Sequence, residues 1–208
     1  MEQIQDMLVE QLKDAVSAEK QAVQGMKKLL RQVADEQLRQ GIEMHMAQSE
    51  EQQRRAERAL ESMGGKPGRK VCEAMRGLNE ELKEVLDEFD KGPVRDLALI
   101  AGLQRIEHYE IAAYGTMAEL AKAIGEEEVA QLVAQTLQEE KEADEKLTRV
   151  TRESVLPAAL EEGGEEDEEE EEEEEAPRRR PAAGQRAQAK SAAGSRKTEA
   201  RGKARGKG

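Results

Sequence analysis

Three glutamates and a histidine stand in the middle of helical stripes whose other members are mostly apolar. At helical spacing, Leu97, Ile100, Gln104, Glu107, Ile111, Tyr114, Ala118 and Ala121 form one face. Glu107 occupies the centre of that face and Glu110 lies one turn on. Glu19 falls between Ala15 and Ala22 on an earlier stripe, and Glu140 between Thr136 and Ala143 on a later one, with Asp144 a turn beyond. A fourth stripe carries His45, Gln48 and Gln52 at i, i+3 and i+7. Carboxylates gathered in an apolar interior repel one another, and each is costly unless protonated, paired or bound to a cation. One relief is a pair of divalent cations. A donor set rich in carboxylate and poor in imidazole suits iron or manganese, and zinc is compatible with it. The other relief is a buried polar network completed by water, Gln52, Tyr109 and Tyr114.

These residues need long helices to hold them level. The periodicity predicts a first helix from about Glu2 to Val33 and a second from about Gln37 to Met63, stopped by Gly64-Gly65 and Pro67-Gly68. A shorter amphipathic helix follows over about Cys72 to Phe89, ending at Gly92-Pro93. The third long helix starts near Val94 and ends around Ile124-Gly125. The fourth runs from about Glu126 to Glu153 and closes at Leu156-Pro157. Two antiparallel hairpins joined by a long crossover make a ferritin-like four-helix bundle. Reflection through the turn near residue 124 takes Glu107 to about residue 141, beside Glu140. Reflection through the turn near residue 34 takes Glu19 to about residue 50, between Gln48 and Gln52, with His45 about one turn off. Arg54, Arg55 and Arg58, with the glutamates between them, read as a solvated, salt-bridged surface. Cys72 reads as a buried residue at a helix start.

Composition supports this architecture. Of 208 residues, 38% are charged and 1% aromatic, with no Trp and a single Phe, so the core must come from Leu, Ile, Val, Met and Ala. Good helix formers dominate and no period-two run appears, which excludes a sheet protein and leaves the fold class all-α. The lone cysteine cannot form an intramolecular disulfide. No apolar run approaches the ~20 residues that span a membrane, and the acidic amphipathic start does not read as a signal peptide. The expected setting is cytoplasmic.

Four segments carry a family resemblance: LKDAVSAEKQ (Leu12 to Gln21), CEAMRGL (Cys72 to Leu78), VRDLALIAGLQRIEHYEIAAYGT (Val94 to Thr116) and TLQEEKEADEKL (Thr136 to Leu147). The sequence resembles the YciE/YciF family of bacterial ferritin-like proteins. The resemblance implies a bundle with an added short helix, a rubrerythrin-like dinuclear site, a homodimer and an association with stress responses. It makes Glu19, Glu107, Glu110, Glu140 and Asp144 the ligand candidates, beside His45 and Gln48 on the second helix. Two positions depart from the pattern. Gln48 stands where family second helices commonly have Glu, and Ala143 stands where a Glu-x-x-His motif would place histidine. The first implies a weak or vacant second half-site; for the second, Asp144 is the nearby substitute, and the shell is then asymmetric, mononuclear, or degenerate and merely structural.

The bundle is expected to occupy residues 1–158 and a charged tail residues 159–208. Glu161 to Glu175 holds 13 acidic residues, and the segment from Pro177 to the end has 11 Lys and Arg against one acid. Neither block can bury a core, so both are expected to be disordered. The basic block could contact nucleic acid or an acidic partner weakly, although the neighbouring acidic run can neutralise it and it has no aromatic residue to stack bases. Two functions follow: a metal protein that oxidises iron or consumes peroxide or dioxygen, and a non-catalytic dimeric scaffold whose tail recruits a partner.

Overall fold

The computed structural model describes residues 1–162. It contains α1 (Glu2–Leu29), α2 (Glu36–Ser62), α3 (Glu73–Glu88), α4 (Pro93–Ile124) and α5 (Glu127–Val150), and no strand among the described residues. The charged tail expected over residues 159–208 lies outside the described residues, apart from residues 159–162, which are helical.

The helix ends follow local chemistry. The Asp35 carboxylate accepts the Leu38 N–H at 2.7 Å and caps α2. Cys72 caps α3, its sulfur accepting the Met75 N–H. Pro93 opens α4 at the first turn, where its missing N–H costs nothing. Gly125 ends α4 at φ 82°, a left-handed conformation that favours glycine. α1 stops at Leu29 rather than Val33, yet Val33 stays buried in the turn that follows.

The four long helices form a ring in which α1 packs on α2, α2 on α5, α5 on α4 and α4 on α1. This is the ferritin-like bundle with a short helix in its crossover. α3 lies along the outside, against α1 and α4. A Cβ at Gly102 would meet Leu82 Cδ2 at 2.5 Å, so glycine there lets α3 seat closely on α4. One end of the bundle is tied by Asp96, buried on α4, which accepts the Ala34 and Asp35 N–H groups at 3.0 and 2.7 Å.

Leu156-Pro157 does not close the last helix. A π-helical turn, Thr151–Val155, lets Leu156 donate its N–H to the Thr151 carbonyl five residues back. That wider turn relieves the clash a proline ring makes with the preceding turn of an α-helix. Helix then continues through residues 156–162.

The apolar core is split into two parts. One gathers Met26, Leu38, Ile42, Leu99, Leu103 and their neighbours; the other gathers Leu8, Leu12, Leu60, Met117 and Val129 with theirs. Between them lies a layer of buried polar side chains: Glu19, Ser49, Gln52, Glu107, Glu110, Thr136 and Glu140.

Candidate metal centre

Each long helix places a donor in this layer. α4 presents Glu107 and Glu110 on one face because they are three residues apart, and α5 presents Glu140 opposite them. α2 supplies His45. One ligand atom from each of these four residues lies within 4.8 Å of the others. His45 Nε2 stands 3.1 Å from Glu107 Oε1 and 3.7 Å from Glu140 Oε2. The three glutamates are at most 1% exposed. All six of their carboxylate oxygens lack an aligned hydrogen-bond partner, as do His45 Nδ1 and one oxygen of Glu19.

Such a cluster is electrostatically strained without a cation. Burial, and then the neighbouring acids, push Glu110 and Glu140 well above the ordinary carboxylate range. Glu19 is pushed up to about 8, again chiefly by burial, with the Tyr114 hydrogen bond pulling it partly back. Burial of the His45 ring opposes its charge, but the charge and contact of Glu107 prevail and raise it. With protein partners alone, Glu110 and Glu140 therefore favour their protonated forms. The donor set fits a hard or borderline divalent cation: three carboxylates and one imidazole, converging and unpartnered.

The candidates read from the sequence separate into groups. His45, Glu107, Glu110 and Glu140 come together as described. Glu19 lies beside them, fully buried, its Oε1 accepting the Tyr114 O–H at 2.6 Å. Gln48 is half-buried next to His45 and lines a cavity that reaches Glu107. Asp144 is not in the cluster. Its Oδ1 accepts from Gln104 Nε2 at 2.9 Å and faces His108, not His45. Gln52 also turns away, donating to Glu139 Oε2 at 3.1 Å.

Two buried networks escaped the sequence reading. Arg55 is 4% exposed and not part of the solvated surface expected for it. Its guanidinium donates to both Glu139 oxygens, at 2.8 and 3.0 Å, and to Thr136 Oγ1 at 2.8 Å. The sign available in the sequence was its place three residues after Gln52, flanking the stripe. Tyr109, on α4, donates to Asp14 Oδ2 at 2.8 Å and so accepts from the Cys72 thiol at 3.0 Å. This bond joins α1, α4 and the cap of α3; burial, with Asp14 nearby, raises the thiol above its usual range. Neither partner is on a stripe with the other, so no spacing could have revealed it.

The chain is similar to known proteins throughout this region. The family model described as a domain of unknown function, DUF892, matches residues 3–160. Protein YciF of Escherichia coli K12 is 44% identical over 149 residues, covering 71% of this chain and 90% of that protein. The crystal structure of the E. coli stress protein YciF matches with a TM-score of 0.71 at 42% identity, covering 75% of this chain and 99% of that one. YcfI from Rhodopseudomonas palustris matches with a TM-score of 0.67 at 33% identity, covering 70% and 92%. The chain therefore belongs to the YciE/YciF family, whose domain, DUF892, is described as one of unknown function.

Proposed function

We propose that this protein is a ferritin-like metal protein whose bundle holds iron or manganese, as one ion or a pair, in a stress-related role. The observation that carries the reading is the convergence of Glu107, Glu110, Glu140 and His45, with none of the six buried carboxylate oxygens receiving an aligned hydrogen bond. Burying a carboxylate without enough compensating charge costs several kcal/mol, and a native fold that sets three beside a single imidazole is explained if a cation joins them. When bound, either metal supplies one-electron exchange with dioxygen or peroxide. The name of the E. coli relative, a stress protein, supports the setting.

The residues divide the work. Glu107, Glu110 and Glu140 would hold the cation through their carboxylates, with Glu110, Glu140 and His45 in their deprotonated forms. His45 supplies the imidazole. Tyr114 fixes the Glu19 carboxylate with a short hydrogen bond, orienting it at the α1 side of the layer. The Arg55–Glu139 clamp locks α2 to α5 and so holds His45 level with Glu140.

Metal content by mass spectrometry tests this reading on protein expressed with added iron and manganese, wild type beside Glu107→Ala and Glu140→Ala. One to two metals per chain in wild type, lost in both folded variants, is the expected result. No metal in wild type would overturn it.

A further inference from the structure

The cluster is reached from outside through a cavity of about 40 Å³ in the seam between α2 and α5. Exposed Met44 and Lys146 form its outer rim, and His45 and Glu107 form its inner end. Two small residues line it. Ala143 sits one turn after Glu140, on the wall of α5 that lines the cavity beside His45. Gly41 lies on the α2 wall, where an added Cβ would meet nothing within 4 Å.

The dimensions and lining select a kind of molecule. A water-sized sphere needs about 10–15 Å³ of such space, so the cavity has room for roughly three. That suits a molecule of two to four atoms. Organic ligands occupy pockets of about 300–1,000 Å³, an order of magnitude more. The walls between rim and cluster are mostly apolar, including Ile42, Leu103 and Leu147, with Gln48 the polar exception, which penalises a hydrated ion more than a neutral molecule. We infer that this seam admits a small neutral co-reactant, of the size of dioxygen or hydrogen peroxide, to the His45–Glu107 side of the cluster, and that Ala143 and Gly41 set its size limit. The inference rests on the metal reading of the cluster formed by His45, Glu107, Glu110 and Glu140.

The experiment uses the full-length chain loaded anaerobically with Fe²⁺, with nitric oxide as the neutral diatomic probe. Wild type, Ala143→Leu and Gly41→Leu are compared for iron content and for the rate of the absorbance change on mixing with nitric oxide. Equal iron content with association at least tenfold slower in the variants is expected. Equal iron content with unchanged rates would overturn the access route and leave the metal reading standing. A wild type that takes up no iron overturns the metal reading and the access route together. Should Ala143→Leu fail to fold, Gly41→Leu carries the comparison, because its added atoms start in open space. Metal-free crystals pressurised with xenon give an independent readout: xenon between Ala143 and Gly41 in wild type supports the route, and its absence there overturns it.

Discussion

Glu139 and Glu140 are neighbours in the chain and opposites in chemistry. Glu139 receives two hydrogen bonds from Arg55 and others from Gln52 and Gln135. Burial works to raise it, but those partners prevail and hold it below the usual carboxylate range. Glu140, one residue on and pointing into the bundle, has no aligned donor and is pushed well above that range by burial and by Glu110, Glu107 and Glu19. The same α5 backbone thus carries one carboxylate with a counter-charge built into the protein and one without. The first is a structural clamp. The second has no aligned donor within the protein, which is what the metal reading proposed above draws on. Burial and partners separate them together: Glu140 is fully buried without an aligned donor, whereas Glu139 keeps some exposure and is met by Arg55.

The largest effect that tests this contrast is the response to metal. Adding Fe²⁺ or Mn²⁺ to the metal-free protein at about a thousand times the dissociation constant should stabilise it by about 4 kcal/mol, read as a shift in the denaturation midpoint. Arg55→Met should act in the other direction with or without metal. It leaves Glu139 facing Gln52 and Thr136 without a cation, at a cost of about 2–3 kcal/mol because Glu139 keeps some exposure to water. Adding Glu139→Leu to Arg55→Met should recover most of that loss. If it recovers none, the pair does not act as a clamp.

Glu140→Gln should show the reverse sign. In metal-free protein it removes an uncompensated carboxyl and should raise stability by about 1–2 kcal/mol, while abolishing the stabilisation by metal. A metal-free protein destabilised by this change would mean that Glu140 has a partner already. The pH response follows the same logic. Glu19, Glu110 and Glu140 hold protons in the folded state that the unfolded chain loses near 4.5. The native state therefore binds more protons between about pH 4.5 and pH 8, and stability falls as pH rises through that window. Each such group contributes at most about 1.4 kcal/mol per pH unit. Denaturation of metal-free protein between pH 5 and 8 measures the slope; bound metal should flatten it.

Much of this was legible before the structure. Apolar stripes of helical period, Gly64-Gly65, Gly92-Pro93 and Gly125 mark where helices begin and end, and the bundle follows from them. Glu19, Glu107 and Glu140 announced themselves by interrupting those stripes. His45 was harder, because reflection through the first turn set it a turn away from Glu19. It does not meet Glu19 in its own hairpin; it meets Glu107 and Glu140 across the ring, a pairing that one hairpin's register cannot reveal. Arg55 was misread because a long side chain beside the stripe can swing inward once a carboxylate such as Glu139 waits there. The run of helix past Pro157 was hidden for a different reason: a single widened turn absorbs the proline, and nothing in the local residue types signals it. Among the described residues no helix is long and apolar enough to cross a membrane.

The smallest effect belongs to Asp144, and it sharpens the contrast most finely. Asp144 lies on α5 one turn beyond Glu140, and the family resemblance made it a ligand candidate. In the structure it is half-buried and accepts from Gln104 Nε2, which also donates to Thr148 Oγ1. A carboxylate already served by the protein and open to water resembles Glu139, not Glu140. Asp144→Asn keeps an acceptor for Gln104 and should cost no more than about 0.5–1 kcal/mol. Metal content should equal that of wild type. Loss of metal in this variant would draw Asp144 into the centre and show that α5 supplies two ligands. Unchanged metal, beside its loss in Glu140→Ala, would confine the α5 contribution to the one carboxylate that the protein leaves without a partner.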